Sequence, residues 1–272
     1  MRPPRDKQQP KFQHKQSAPV APSSHGDRPD LIWGHNPLEE ALRAGRRKIH
    51  EVLLSGKERD ENPLIDQLLK RGIPYRFVSR PDLDRLSHDG VHQGVLARMA
   101  PYPYVEMPEL LKAEAPSLIV ALDGVTDPQN FGAICRSALA FGVGGLVLPK
   151  DNAAAVTGSV AKASAGAVEK LKIAQVVNLV RSLEAFKEAG YWIYGASLTE
   201  TSVDIAKVSP GQKAVIVLGA EGKGLRRLVA ETCDQLVKIP MPGGFESLNV
   251  AQASTLFFYE FARKILTPPT PS

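Results

Sequence analysis

Short apolar segments that alternate with stretches of helical periodicity dominate the second part of the chain. Each apolar segment is bounded by Gly, Pro or Asp, and the five segments are 118–122, 146–148, 192–194, 215–218 and 236–239. The stretches between them carry apolar residues at helical spacing, which predicts helices at about 131–141, 159–167, 176–189, 224–231 and 249–265. Short apolar strands that alternate with helices are typical of a parallel sheet covered on both faces. We therefore predict an α/β domain over residues 117–266.

A smaller alternating pattern precedes this domain, between residues 31 and 105. Order begins at 31–34, and the pattern then predicts strands at 52–54, 75–78 and 91–97 and helices that begin near residues 37, 64 and 81. Prolines at 101, 103 and 108 then predict a linker over 106–116. Residues 1–30 are polar and rich in proline, and such a segment buries too little apolar surface to fold. We predict a disordered basic tail there and a short tail over 267–272.

Charge and composition exclude several kinds of site and of protein. The net charge is +5 over 272 residues, and residues 106–272 contain 16 basic and 16 acidic residues, so the excess lies in the first 105 residues. All six histidines lie before residue 93, so the second domain has no histidine base or metal ligand of its own. Two cysteines are too few for a Cys-rich zinc site, and no apolar run is long enough for a membrane helix. We expect a soluble cytoplasmic protein without a metal.

Candidate chemistry lies in loops that follow the predicted strands, because ligands bind at the carboxyl ends of parallel strands. The loop after Leu122 leads into a helix that contains Asn130, Gly132 and Arg136. Gly132 and Arg136 are four residues apart and share a helix face, so the glycine leaves space for a group that reaches the guanidinium. The alternative is a solvated arginine and a close helix contact at Gly132.

Two further loops combine glycine or proline with polar side chains. After Leu218 the glycines follow a G-x-x-G-x-G pattern rather than G-x-G-x-x-G, and Glu221 lies among them, which disfavours a pyrophosphate and therefore a nucleotide-dependent dehydrogenase. The alternative is a tight turn in which Glu221 caps the next helix. After Ile239 a Pro/Gly-rich loop reaches Ser247 and Asn249. The alternative there is that Ser247 is the N-cap of the last helix and Asn249 lies in its first turn.

Taken together, the three loops resemble a known family. Asn130-x-Gly132-x-x-x-Arg136, Gly219-x-Glu221-x-x-Gly224 and Ser247-Leu248-Asn249-Val250 occur in the order of the three motifs of the SpoU (TrmH) ribose 2′-O-methyltransferases. The segments 33–39 and 91–95 are similar to the substrate-binding domain of that family. This combination resembles the branch of the family that methylates a guanosine of 23S rRNA.

The resemblance implies a fold and a cofactor. The fold class would be α/β, with a SPOUT-type parallel sheet and a C-terminal trefoil knot, preceded by a small L30e-like α/β substrate-binding domain. S-adenosylmethionine would be the cofactor, and the family pattern implies contacts from Gly219, Ile239, Leu248 and, more weakly, Ser197. The family also implies a homodimer formed through the methyltransferase domains.

The same resemblance implies catalytic roles for five residues, which are Arg136, Asn130, Glu221, Ser247 and Asn249. An arginine is a poor base because its pKa exceeds about 12, so we expect Arg136 to hold the target phosphate and stabilise the ribose alkoxide. Asn130, Ser247 and Asn249 would orient the ribose and Arg136. Glu221 would order its loop or offset the guanidinium charge.

RNA is the expected partner, and the candidate contacts are basic. They comprise Arg43, Arg46, Arg47 and Lys48 in the small domain, with Lys223 and Arg226 beside the second motif. The alternative for the small-domain cluster is a solvated helix face next to acidic residues. A tRNA ribose remains an alternative substrate, and an inactive RNA-binding or ribosome-assembly protein is an alternative of another class.

Overall fold

The structure is a computed structural model that describes residues 30–56, 62–244 and 247–266. Ordered structure in the described residues begins with a strand at Asp30, the last residue of the predicted tail. The rest of that tail and the predicted C-terminal tail lie outside the described residues.

The first unit is built on a four-stranded mixed sheet. Its elements are β1 (Asp30–Trp33), α1 (His35–Ala44), β2 (Ile49–Ser55), α2 (Pro63–Lys70), β3 (Tyr75–Val78), α3 (Arg80–Leu86) and β4 (Val95–Met99). The strand order is β1-β4-β2-β3, in which only the β2–β3 pair is parallel. The strands and helices predicted here are present, with shifted ends.

The second unit is built on a seven-stranded sheet in which every strand pair is parallel. Its elements are α4 (Met107–Leu111), β5 (Ser117–Asp123), α5 (Pro128–Ala140), β6 (Gly145–Pro149), α6 (Gly158–Ala163), β7 (Ile173–Val176), α7 (Leu179–Glu188), β8 (Trp192–Ala196), β9 (Val203–Asp204), β10 (Lys213–Gly219), α8 (Arg227–Thr232), β11 (Gln235–Lys238) and α9 (Val250–Ile265). The order is β7-β6-β5-β10-β8-β11-β9. The predicted parallel α/β sheet is therefore confirmed.

Three elements differ from the sequence prediction. The strands β7 and β9 were not predicted, and both lie at the edges of the sheet. The helix α4 lies in the predicted linker, where Pro108 occupies its first turn and Leu110 is buried. Proline fits the first turn of a helix because its missing N–H has no partner to lose there.

Strand adjacency positions the candidate loops. The strands β5 and β10 are neighbours, and their last residues, Asp123 and Gly219, are paired in register. The next strands along the sheet are β8 and β11. The loops after these four strands therefore lie together at the carboxyl ends of the parallel strands.

The two units share a continuous hydrophobic core and a buried ion pair. One cluster of buried residues contains Ile32 and Leu38 of the first unit together with Phe131 of the second. The Arg47 guanidinium donates to a Glu169 carboxylate oxygen at 2.9 Å and to the Ala100 carbonyl, and both charged side chains are at most 2% exposed. These contacts fix the first unit against the second.

Two features are absent from the described residues. Within them, no helix combines the length and the apolar character that crossing a membrane requires. No group of three or more His, Cys, Asp or Glu side chains in the same part of the chain is arranged to hold a metal ion.

Candidate active site

The first loop is organised by the start of α5. Asp127 is the N-cap of this helix, and its carboxylate accepts hydrogen bonds from the backbone N–H groups of Gln129 and Asn130 at 3.2 and 3.0 Å. An N-cap carboxylate satisfies N–H groups that have no partner in the first turn and favours the positive end of the helix dipole. The local sequence thus holds Asn130 at the edge of the sheet.

The second loop closes on itself immediately after β10. Ala220 and Gly224 form an antiparallel bridge, and the Gly224 N–H donates to the Ala220 carbonyl at 2.9 Å. A Cβ added to Gly219 would lie 2.2 Å from the carbonyl carbon of Gly224, so only glycine fits there. No helix begins until Arg227, and Glu221 therefore does not cap one.

The third loop enters α9 through Asn249 rather than Ser247. The Asn249 side-chain oxygen accepts from the Ala251 N–H at 2.9 Å and is the N-cap of the helix. Ser247 lies two residues earlier and is exposed. The interpretation of Ser247 as the cap is therefore wrong, because Asn249 already satisfies the first turn.

Side chains from all three loops meet in one hydrogen-bonded group, which we call the polar triad: Asn130, Glu221 and Asn249. The Asn249 amide donates to the Asn130 side-chain oxygen at 2.9 Å. The Asn130 amide donates to Glu221 Oε2 at 3.2 Å, and the Asn249 amide approaches the same oxygen at 3.4 Å. Residues as far as 119 positions apart in the chain are thereby held together.

Two cavities share walls formed by the second loop. The first, which we call the cofactor cavity, has a volume of about 430 Å³, and its walls include all four residues predicted to contact the cofactor: Ser197, Gly219, Ile239 and Leu248. Ser247 also lines it. The second, which we call the substrate cavity, measures about 510 Å³ and is lined by Asp123, Asn130, Glu221, Lys223 and Arg226, among others. Both volumes are in the range of small-ligand sites.

Arg136 lies outside this group in the single chain. It is exposed on α5, six residues beyond Asn130, and lines neither cavity. The expected space at Gly132 is absent, because an added Cβ there would lie 2.4 Å from Ala163 Cβ of α6. Gly132 permits close packing of two helices, as the structural alternative in the sequence analysis predicts.

The basic residues proposed for RNA contact differ in exposure. Arg43 and Lys48 are exposed, although Arg43 is paired with Glu39 and Glu40. The Arg46 guanidinium donates to the Leu171 carbonyl of the second unit and is half-buried. The prediction that Arg47 contacts RNA is wrong, because its side chain is 2% exposed and its donors are directed at protein oxygens.

The rim of the substrate cavity carries the other two basic candidates, Lys223 and Arg226, and both are exposed. The partner of Arg226 was not predicted from the sequence. Asp123 is 1% exposed at the end of β5 and accepts from Arg226 Nε at 2.6 Å. A carboxylate at the end of an apolar strand was the available signal.

Two family models match the chain over the two structural units. Residues 117–259 match the SpoU rRNA methylase family, and residues 31–105 match the substrate-binding region of RNA 2′-O ribose methyltransferases. The chain therefore belongs to the SpoU rRNA methylase family. The resemblance read from the three motifs is confirmed, as is the expected class of enzyme, a methyltransferase.

Relatives and a solved structure agree with this assignment. The chain is 37% identical over 242 residues to the 23S rRNA (guanosine-2′-O-)-methyltransferase RlmB of Vibrio vulnificus, covering 87% of this chain and 98% of the relative. It is 39% identical to YacO of Bacillus subtilis, named as a TrmH family tRNA/rRNA methyltransferase, covering 86% and 96%. The AdoMet-bound rRNA methyltransferase of Sinorhizobium meliloti superposes with a TM-score of 0.74 at 25% identity, covering 87% of both chains.

Proposed function

We propose that this protein transfers the methyl group of S-adenosylmethionine to a ribose 2′-hydroxyl of RNA, and that the RNA is 23S rRNA with a guanosine as the target. The observation that carries the proposal is the polar triad, which joins the three family motifs between two cavities of ligand size. The Vibrio vulnificus relative supports the choice of 23S rRNA. The Bacillus subtilis relative, named for both tRNA and rRNA, keeps a tRNA ribose as the second candidate.

The cofactor cavity fits S-adenosylmethionine, and the related Sinorhizobium meliloti structure is AdoMet-bound. Gly219 brings the backbone of the second loop close to the cavity, where a side chain would clash with Gly224. Gly219, Ile239, Leu248 and Ser197 would hold the cofactor, largely through backbone groups. When bound, the cofactor supplies a methyl group that its sulfonium has already activated. We also propose that the loops of this cavity form the C-terminal trefoil knot.

The chain's main task is then to position the ribose and assist loss of its proton. Asn130 lines the substrate cavity, Glu221 lines both cavities, and the amides of Asn130 and Asn249 are oriented by Glu221. An amide held in one orientation positions a hydroxyl better than a mobile amide does. The entropic cost of ordering the amide falls on folding rather than on substrate binding. Glu221 thus orders the site, and Ser247 contributes a further polar group to the wall of the cofactor cavity.

Arg136 acts on the RNA from outside these cavities. Six helical residues place it about 9 Å along the α5 axis from Asn130. In the described residues no hydrogen bond engages its guanidinium, so its donors are available to the phosphate of the target nucleotide and to the developing alkoxide. Phosphate or water takes the proton, because a guanidinium offers only donors and no acceptor.

We further propose that residues 31–105 bind the RNA around the target, joined by 106–116 to a methyltransferase domain over 117–266. The match of residues 31–105 to a substrate-binding region supports this role. Arg43 and Lys48 are the exposed candidates for phosphate contact. Arg43→Glu and Lys48→Glu should weaken RNA binding and leave S-adenosylmethionine binding unchanged.

A homodimer formed through the methyltransferase domains is part of the proposal. The side chains of Leu256 and Tyr259, three residues apart on α9, are 44% and 54% exposed and share one helix face. Tyr259 also packs edge-on against Phe141, at 6.0 Å between ring centroids. Light scattering should give twice the chain mass, and Leu256→Glu should give a monomer.

One experiment tests the function and separates the substrates. The full chain is incubated with labelled S-adenosylmethionine and either protein-free 23S rRNA or tRNA, and methylated riboses are mapped. Transfer to 23S rRNA alone supports the proposal, whereas transfer to tRNA alone selects the second candidate. If no methyl group is transferred to either RNA, both candidates are contradicted. The alternative of an inactive RNA-binding or assembly protein then remains.

Arg136→Ala tests the catalytic step. Its binding of S-adenosylmethionine should stay near that of the unmodified protein, because Arg136 does not line the cofactor cavity. Single-turnover methylation should collapse. An equal loss of both would show that Arg136 has a structural role instead.

A further inference from the structure

A buried carboxylate beneath the substrate cavity holds one exposed arginine. Asp123 Oδ1 accepts from Arg226 Nε at 2.6 Å, and Oδ2 accepts from the Arg226 backbone N–H at 2.8 Å. The Asp123 side chain is 0% exposed, whereas the Arg226 side chain is 63% exposed. Burial of a carboxylate is costly unless it is paired, and here both oxygens serve one residue. The arrangement fixes the direction in which the guanidinium points.

The orientation leaves the outer part of the guanidinium available. Nε is used by Asp123, and no acceptor among the described residues bonds to the two terminal nitrogens of Arg226. A planar guanidinium with fixed orientation binds a phosphate through parallel N–H groups. Arg226 therefore presents a ready phosphate ligand at the rim of the substrate cavity.

A further cavity also has Arg226 in its wall. It measures about 570 Å³ and shares Pro149, Asp151, Asn152 and Arg226 with the substrate cavity. Its own walls include Val177 and Leu228, which are 85% and 56% exposed. We call it the flanking cavity. Its position makes Arg226 the cation common to two adjoining cavities.

We propose that Asp123 positions Arg226 to bind the phosphate between the target nucleotide and its neighbour in the RNA, and that the base of this neighbour occupies the flanking cavity. The inference rests on the proposed function. Proteins recognise structured RNA through phosphates and through unstacked bases, and the exposed Val177 and Leu228 offer such a base an apolar surface. The two cavities adjoin at Arg226, as consecutive nucleotides adjoin at a phosphate.

The test compares variants of the full chain for binding of protein-free 23S rRNA over a range of salt concentrations. Arg226→Ala should lower the slope of log affinity against log salt by about 0.7–0.9, the value for one phosphate contact. Because this variant leaves the Asp123 carboxylate buried without its cation, the double variant Asp123→Asn/Arg226→Ala is measured as well and should lose the same slope. The matched control is Arg263→Ala, which removes an arginine that is 53% exposed and paired with Glu260 on α9.

Asp123→Asn alone tests positioning. Asparagine keeps the shape of the side chain and an oxygen that can accept from the Arg226 backbone N–H. It lacks the charge that orients the Arg226 guanidinium. We expect KM for the RNA to rise about tenfold, with kcat and S-adenosylmethionine binding within twofold of the unmodified protein. Leu228→Glu should raise KM similarly, because a carboxylate there repels the neighbouring nucleotide.

The outcomes separate this inference from the proposed function. If the unmodified protein methylates RNA but Arg226→Ala and the double variant keep the original salt slope, the inference is overturned and the function stands. If Asp123→Asn lowers kcat and cofactor binding together, Asp123 supports the fold rather than Arg226. If the unmodified protein transfers no methyl group to any RNA, both the function and the inference fail.

Discussion

Replacing Arg47 by methionine removes the cation from a buried ion pair between the two structural units. The side chains of Arg47 and Glu169 are 2% and 1% exposed, and their charged atoms are 2.9 Å apart. Removal of one member of a buried pair costs about 3–5 kcal/mol, because the other charge stays buried without compensation. At about 2–4 °C per kcal/mol for a protein of this size, Arg47→Met should lower Tm by roughly 10 °C.

The loss should depend on pH in a defined direction. Burial raises the pKa of Glu169, and the neighbouring Arg47 is the main group that opposes this rise. Without Arg47 the folded-state pKa rises further above the unfolded value, so folding takes up a proton. Stability of the variant is then retained at low pH and lost as the pH rises through the folded-state pKa. The deficit relative to the unmodified protein should be larger at pH 8 than at pH 5.

Thermal and urea unfolding at both pH values measure the effect. The double variant Arg47→Met/Glu169→Gln is the control, because it removes the buried charge as well as its partner and should recover a large part of the stability. The second carboxylate paired with Arg47, that of Asp30, is 31% exposed and keeps contact with water. A loss below about 1 kcal/mol at pH 8, the size expected for an exposed pair, would refute the reasoning. So would a deficit that is the same at both pH values.

Three further predictions concern the loops and the thiols. Asn249→Ala should lower stability by about 1 kcal/mol through loss of the N-cap and should also abolish methyl transfer. Asn249→Asp keeps the cap acceptor and should lose only methyl transfer, as urea unfolding and single-turnover assays of both variants would show. Gly219→Ala should weaken S-adenosylmethionine binding at least about tenfold because its Cβ meets backbone, while Gly211→Ala, whose nearest neighbouring atom is 3.9 Å away, should not; calorimetry measures both. Burial raises the pKa of the Cys135 thiol and raises that of Cys233 to about 12, so iodoacetamide at pH 8 should label both only in denaturant, as mass spectrometry would show.

The central strands were predictable because they are buried on both faces and their sequences are continuously apolar. The missed strands, β7 and β9, are the two edges of the sheet. β9 has only two residues, and β7 has four, among them the half-buried Gln175. Edge strands are short and more polar, so their sequence pattern carries little signal. The prediction therefore failed at two short edge strands, which offer too few residues for a recognisable pattern.

The candidate site was predictable as three separate loops, but its internal contacts were not. Motif order and strand ends indicated that Asn130, Glu221 and Asn249 lie near one another. Which group donates to which depends on the pairing of β5 with β10 and on the path of the chain into α9. The dual role of Asn249 follows from that path, since its side-chain oxygen caps the helix while its amide joins the polar triad.

The structure changes which basic residues are available for RNA binding. The excess of positive charge before residue 106 predicted capture of RNA by the small domain, with Arg43, Arg46, Arg47 and Lys48 as one cluster. The structure uses two of these arginines between the units: Arg47 pairs with Glu169, and Arg46 donates to the Leu171 carbonyl. Their partners lie more than 120 residues away, so local sequence could not distinguish them from solvated residues.

The cationic surface available to RNA is consequently distributed differently from the net charge. In the small domain, Arg43 is exposed but shared with two glutamates, and Lys48 is exposed. In the methyltransferase unit, which is neutral as a whole, Lys223 and Arg226 stand exposed at the rim of the substrate cavity. A cation held at the cavity acts on the phosphate nearest the reaction, where its orientation as well as its charge contributes to binding. We therefore expect substitutions at this rim to change KM for RNA more than equal changes of charge in the small domain.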